Sequence, residues 1–313
     1  MSKEIRNLGA SVLSRLHNKS IEIGLPYNWL LFNFANERFL YRLSQSKYCE
    51  MFILKGGLIF VGWNTPLRRL TKDVDFRVYG PDSINLTKQI IEEICVQPVE
   101  PDAVMFKCDT IEAEVISPDD EYPGVRIHFL AIIGEKTRVN MQIDMSFTDV
   151  ITPSPIPISY PTLLDMPSPQ LKGYPKETVV AEKLHCIVDR GTTNSRRKDY
   201  FDLWFLSQQQ NFSGSILQDA IIQTFENRGT QIPNELPAGL SDIYAKENNG
   251  QWKAFLHTFN LDNGEVRDFQ EVVLSIREFV EPILKASMNK ISFNLFWKPG
   301  GLWSEVEDQP KAS

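Results

Sequence analysis

The chain has 313 residues, 42% hydrophobic and 23% charged, a globular composition that excludes a disordered chain, a collagen and a disulfide-stapled mini-protein. Forty acidic against 33 basic residues give a formal charge of −7. That balance excludes a protein built mainly to coat nucleic acid, so any polynucleotide contact needs a local patch.

Two helical segments come first. Ile5, Leu8, Val12, Leu13 and Leu16 recur at helical spacing, and after Gly24 a segment opened by Pro26 carries Phe32, Ala35, Phe39 and Leu43 on one stripe. Met51-Phe52-Ile53-Leu54 then reads as a short buried strand ending in Lys55-Gly56-Gly57. From Val74 to Val78 the residues alternate, with Val74, Phe76 and Val78 on one face and Asp73, Asp75 and Arg77 on the other. A helix opened by Pro81-Asp82-Ser83 carries Leu86, Ile90, Ile91 and Ile94. The alternating runs 125–133 and 139–147, joined by Gly134-Glu135-Lys136, predict a hairpin, and the second run presents Asn140, Gln142, Asp144 and Ser146 on its polar face.

From Thr152 to Pro175 seven prolines exclude a long helix or a central strand, and the segment reads as a surface linker and domain boundary. Beyond it Glu177–Asp189, Tyr200–Gln209, Ser215–Thr224 and Arg267–Ser287 read as helices. The aromatic tail from Phe293 to Trp303 is expected to fold back onto a groove, because that much aromatic surface is costly to expose. The expected organisation is α+β: a first lobe over 1–151 with a mixed sheet flanked by helices, a proline-rich linker over 152–175, and a mainly α-helical C-terminal lobe over 176–313. No apolar run reaches the roughly 18–20 residues that span a bilayer. The opening residues carry no secretion-type apolar stretch, and the four cysteines lack Cys-x-x-Cys spacing, so a soluble cytoplasmic protein is expected, with no membrane partner.

Three features carry chemistry. Asp73 and Asp75, at i and i+2 of one strand, point to one face and repel unless a divalent cation sits between them. Asp144 on a later strand offers a third carboxylate, as a metal ligand or as the base for an attacking hydroxyl, a place that Glu112 or Glu114 could also fill. This oxygen-only set suits magnesium (or manganese), and paired metals of that kind serve phosphoryl transfer. Gly56-Gly57 offers bare backbone amides to triphosphate oxygens. Singly, each feature has a plain structural reading: a solvated strand face, a turn, a surface carboxylate. The ordered set of strand, Gly-Gly, Asp-x-Asp and a later strand aspartate resembles the nucleotidyltransferase fold associated with polymerase β.

Flanking residues narrow the resemblance. Phe52-Ile53-Leu54-Lys55-Gly56-Gly57 with Arg69-Leu70-Thr71-Lys72-Asp73-Val74-Asp75-Phe76 resembles the first motif of the AbiEii/AbiGii toxin family. Ala181-Glu182-Lys183-Leu184-His185 and Arg197-Lys198-Asp199-Tyr200-Phe201-Asp202-Leu203 resemble that family's later motifs, so the similarity runs from about Met51 to Leu206. The resemblance implies a metal-dependent nucleotidyltransferase toxin of a type IV toxin–antitoxin, or abortive-infection, system. Such an enzyme transfers NMP from an NTP to RNA, with the tRNA 3′ end as acceptor, and has a separately encoded antitoxin as partner. It also implies Asp73, Asp75, Asp144, Lys183, Asp199 and Asp202 as catalytic residues, with Asp73, Asp75 and Asp144 on the metal. Nucleotide contacts would come from Lys55, Gly56, Gly57, Arg69, Thr71 and Lys183. Arg69 could equally pair with Asp73, and either Asp199 or Asp202 could orient Lys183 while the other is structural. The chain departs from the family pattern at Leu58, where a Thr or Ser is common. The basic stretch Arg190, Arg196, Arg197 and Lys198 is either a solvated loop or a guide for a tRNA backbone. Two rival readings stay open: the same chemistry on a protein or small-molecule acceptor, and a non-catalytic binding protein that retains the fold.

Overall fold

In the computed structural model the described residues are 7–63, 65, 71–80, 82–116, 124–259, 261 and 268–305. They divide into two compact units, one of residues 1–149 with 155–174, the other of 150–154 with 175–313.

The first unit opens with α1 (Leu8–Ile23), whose first turn is capped by the Asn7 side chain accepting from Ala10 N, and which ends at Gly24 with φ +68°. α2 (Tyr27–Gln45) is buried along nearly its whole length and serves as the unit's central post. β1 (Phe52–Lys55) runs into the short α3 (Leu58–Gly62), and β2 (Val74–Val78) leads to α4 (Ile84–Cys95), capped by Ser83. β3 (Val104–Ile116) is a strand the sequence pattern did not announce. The expected hairpin is β4 (Gly124–Ile133) and β5 (Thr137–Ser146), paired outward from Ile133↔Thr137, with Gly134 at φ +66° in the turn.

The segment expected to be a linker instead supplies β6 (Ile156–Ser159) and β7 (Gln170–Gly173), which complete a seven-stranded sheet of order β3-β4-β5-β2-β1-β7-β6. β7 even lies inside the sheet, parallel to β1 and antiparallel to β6. The prolines permit this because Pro169 and Pro175 flank β7 rather than interrupt it, while Pro157 falls in the edge strand β6. α2 holds the intervening loop: buried Glu37 accepts the Leu163 N–H at 2.7 Å and buried Arg38 donates to the Pro167 carbonyl at 2.9 Å. β2 pairs parallel with β5 and β1 with β7, while the other pairs are antiparallel, so the sheet is mixed. One face is apolar (Val74, Phe76, Ile127, Phe129, Met141, Ile143 and Met145 are all buried) and packs against α2 and α4. The other face carries the polar residues of the same strands.

The second unit is mainly helical: α5 (Lys176–Arg190), α6 (Arg197–Gln209), α7 (Gly214–Asn227), α8 (Asp242–Glu247), α9 (Asn249–Thr258) and α10 (Phe269–Met288). The aromatic tail does fold back, as β9 (Leu295–Trp297) and β10 (Trp303–Glu305) in a small sheet with β8 (Phe212–Ser213). Trp297 is buried and donates its indole N–H to the Ser207 carbonyl at 2.7 Å, while Trp303 stacks on Phe279 and donates to its carbonyl at 2.9 Å.

Candidate active site

Strand register builds one row of charge across the polar face of the first unit's sheet. Glu114 of β3 stands opposite Arg126 of β4, Arg126 opposite Asp144 of β5, Asp144 opposite Asp75 of β2, and Asp75 opposite Lys55 of β1. Directly opposed residues share a face, so these five side chains lie on the polar side, two carboxylates adjacent in the middle and a cation beyond each. Asp73 immediately precedes β2, two residues from Asp75. α2 fixes that entry: Asn36 Nδ2 donates to the Lys72 carbonyl at 2.9 Å, and the Lys72 ammonium lies 5.0 Å from the Phe32 ring centre.

The glycine turn meets the aspartates here. Gly56 has φ +67°, and a Cβ added to it would overlap the Asp75 carboxylate. Only glycine both accepts that backbone conformation without strain and leaves the carboxylate its room. At Gly57 an added Cβ would come within 2.7 Å of the Thr71 hydroxyl. Leu58 is fully buried at the start of α3, so it is a core residue. Lys55 is held at 2.5 Å by Asp149, whose carboxylate also accepts from the Ser146 hydroxyl, and its ammonium lies 5.7 Å from the Tyr174 ring centre. Arg69 falls outside the described residues.

Asp73 and Asp75 suit a hard divalent cation: both donors are oxygens, at i and i+2, beside a turn from which a Cβ is excluded. The expected three-carboxylate set, however, is not assembled. Asp144 accepts two bonds from Arg126, Nε to Oδ1 at 2.8 Å and Nη2 to Oδ2 at 2.7 Å, with the Gln142 amide at 3.2 Å. Among the described residues no group of three acidic, His or Cys side chains is arranged to hold a metal. The physical reason is the hairpin: register sets a planar guanidinium beside Asp144, and the two-point match satisfies the carboxylate without a metal. The bonds to Asp144, more than offsetting partial burial and reinforced by Glu114 and Asp73, hold Arg126 in its charged form. Glu112 and Glu114 do not take the vacated role; Glu114 is more than half exposed and reaches Arg126 and His128 only at 4.0 and 3.8 Å. Arg126 was missed at the sequence level, although counting outward from the hairpin turn pairs it with Asp144.

In the second unit α5 and α6 bring the later motifs together. Lys183 Nζ lies 3.1 Å from Asp199 Oδ1 and 2.7 Å from Asp202 Oδ2, with Asp202 fully buried and Asp199 nearly so. Asp199 Oδ2 is also 2.9 Å from Arg196 Nε, an ion pair whose alignment falls short of a hydrogen bond. Both aspartates therefore orient Lys183. The basic stretch is not one surface: Arg190 and Lys198 are exposed, but Arg197 points inward. Arg197 donates to the Asn194 carbonyl, Tyr244 hydroxyl, Asn248 and Gln251 at 2.5–2.6 Å, a structural tie between α6 and the α8–α9 region. Nearby, buried His185 lies 2.8 Å from the Thr230 hydroxyl and 3.3 Å from Arg228, which in turn pairs with Glu182 at 3.3 Å.

A family model described as the nucleotidyl transferase AbiEii toxin of a type IV TA system matches residues 38–274 of the chain. No curated protein matches it.

Proposed function

The chain belongs to the AbiEii family of nucleotidyl transferase toxins of type IV toxin–antitoxin systems, and on that premise we propose that it transfers a nucleoside monophosphate from an NTP to an RNA hydroxyl, at the 3′ end of tRNA. The observation that carries the site assignment is the meeting of Gly56 with Asp75, which brings the glycine turn and the Asp-x-Asp strand to one place.

In the proposed reaction the acceptor hydroxyl attacks the α-phosphorus in line, the bond to the bridging oxygen breaks, pyrophosphate leaves, and the hydroxyl proton passes to water. Magnesium or manganese, held by Asp73 and Asp75, would supply charge neutralisation for the triphosphate. The Gly56-Gly57 turn offers its backbone amides to phosphate oxygens, Thr71 packs over Gly57, and Lys55 contributes positive charge while leaning on Asp149. Lys183, paired with Asp199 and Asp202, is the cation that the family resemblance assigns to phosphate. An antitoxin is the protein partner, in line with the type IV family. No helix among the described residues is long and apolar enough to cross a membrane.

The inward turn of Arg197 favours a second reading, transfer to a protein or small-molecule acceptor, because it thins the patch that would draw RNA. One experiment separates them: the protein, magnesium, each labelled NTP and total bacterial tRNA, beside the Asp73→Asn and Asp75→Asn variants. Label in tRNA with the unsubstituted protein alone is the expected result. Label on protein supports the second reading, and no label on any acceptor leaves the chain a binding protein that has kept the fold.

A further inference from the structure

Arg126 is half of a two-point polar pair on the sheet's polar face, yet its donors are not exhausted. A guanidinium carries five N–H groups in a rigid fork. Asp144 takes one from Nε and one from Nη2, while Nη1 approaches Glu114 only at 4.0 Å, beyond hydrogen-bond reach. The side chain remains 30% exposed. Its place in the row is next but one to Asp75, on the far side of Asp144. An anion approaching the Asp73–Asp75 pair with its countercation would therefore find, one strand further on, a fixed cation with donors to spare. Asp144, neutralised by that cation, adds little net repulsion to the approach.

We propose that Asp144 is a positioning residue rather than a metal ligand: its two-point bond fixes Arg126, and Arg126 contacts the phosphates of the nucleotide. The proposal rests on the transferase reading and assigns a role to a residue outside the family's recognised motifs. It makes three claims about binding: the cation needs Asp73 and Asp75 but not Asp144; the nucleotide needs Arg126; and Asp144 matters to the nucleotide only through Arg126.

Calorimetric titrations on the full chain test all three without turnover. Manganese alone is titrated first, then ATP, GTP, CTP and UTP separately in EDTA, against the unsubstituted protein and the variants Asp75→Asn, Asp144→Asn, Arg126→Gln and the double Asp144→Asn/Arg126→Gln. Expected are manganese affinity within about twofold of the unsubstituted protein for Asp144→Asn, and its loss for Asp75→Asn. Nucleotide affinity should fall about tenfold for Arg126→Gln, the equivalent of one charge-assisted bond of about 1.4 kcal/mol. The double variant should be no worse than Arg126→Gln alone, because residues acting through one another are not additive. Manganese binding lost in Asp144→Asn as in Asp75→Asn would make Asp144 a ligand and overturn the proposal. Unchanged nucleotide affinity in Arg126→Gln, or additive losses in the double variant, would overturn it too. An unsubstituted protein that binds neither manganese nor any nucleotide would bring down the transferase reading itself.

Discussion

Asp75 and Asp144 stand side by side on parallel strands β2 and β5, and on its far side each faces a cation, Lys55 beyond Asp75 and Arg126 beyond Asp144. Like charges directly opposed in a sheet are destabilising. The two cations do different work. Arg126 binds Asp144 at two points, and the Lys55 ammonium lies 2.5 Å from the Asp149 carboxylate. Asp73 and Asp75, at i and i+2 beside the Gly56 turn, are the pair proposed to hold the cation.

The Gly56 turn gives a direct measure of how closely that pair is built into the backbone. Gly56→Ala is expected to cost about 2–3 kcal/mol, the strain of a positive φ with displacement of the Asp75 carboxylate added. Gly24, with φ +68° and nothing within 4 Å of an added Cβ, supplies the control: Gly24→Ala should cost only about 1–2 kcal/mol and leave manganese binding intact. Urea unfolding of both variants, with a manganese titration of each, separates backbone strain from damage to the site. Equal losses and equal metal affinity would mean that Asp75 has room to spare.

Lys183 sits between two buried carboxylates, so its removal has two consequences that a toxicity assay alone would confuse. Lys183→Met should destabilise the fold by about 3–5 kcal/mol, because the buried carboxylates of Asp199 and Asp202 both lose a shared cation, and Asp199 keeps its ion pair with Arg196. The triple variant Lys183→Met/Asp199→Asn/Asp202→Asn should recover most of that loss while remaining inactive. A Lys183→Met protein that unfolds at the same urea concentration as the unsubstituted one would contradict the tight cluster.

Much of this was legible in the sequence, for reasons that particular residues make plain. The β4–β5 hairpin alternates over ten residues per strand around Gly134, a pattern with one physical solution once one face is buried. The Gly56-Gly57 and Asp73-Val74-Asp75 elements were legible because their residue types are chemically restrictive. β3 was not: after Phe106 its burial loses strict alternation, and its pairing with β4 shifts register between Lys107 and Glu112. The proline segment misled because composition counts prolines but does not say where they fall relative to a four-residue strand. Arg197 read as surface charge because its acceptors, Tyr244, Asn248 and Gln251, come from far along the chain, a pairing that local sequence does not encode. The Arg126–Asp144 bond lies between these cases, since hairpin counting reveals the contact but not that it competes with a metal.

His185 makes the stability of the second unit depend on acid in a defined direction. Its ring accepts from Arg228 at Nδ1 and donates from Nε2 to Thr230, an assignment that only the neutral imidazole satisfies. Burial first, and the neighbouring Arg228 second, push its pKa down from 6.5 to about 4, with Asp189 opposing weakly. Between those two values the unfolded chain takes up a proton that the folded chain refuses. Stability therefore falls as pH falls through this window, by at most about 1.4 kcal/mol per pH unit. Glu37 in the first unit tilts the other way: burial raises its pKa from 4.5 to about 7, so the folded chain holds the extra proton and stability falls as pH rises between those values. The two slopes overlap and partly cancel in the unsubstituted protein, which makes the difference between variants the informative quantity. His185→Gln keeps a donor and an acceptor but cannot titrate. Its stability deficit at pH 7, measured by urea unfolding, should shrink steadily at pH 6 and pH 5, as the unsubstituted protein loses what the neutral ring had contributed. A deficit that stays constant across that range would show that the folded protein accommodates the imidazolium, and the Arg228–His185–Thr230 arrangement would then have to open to admit it.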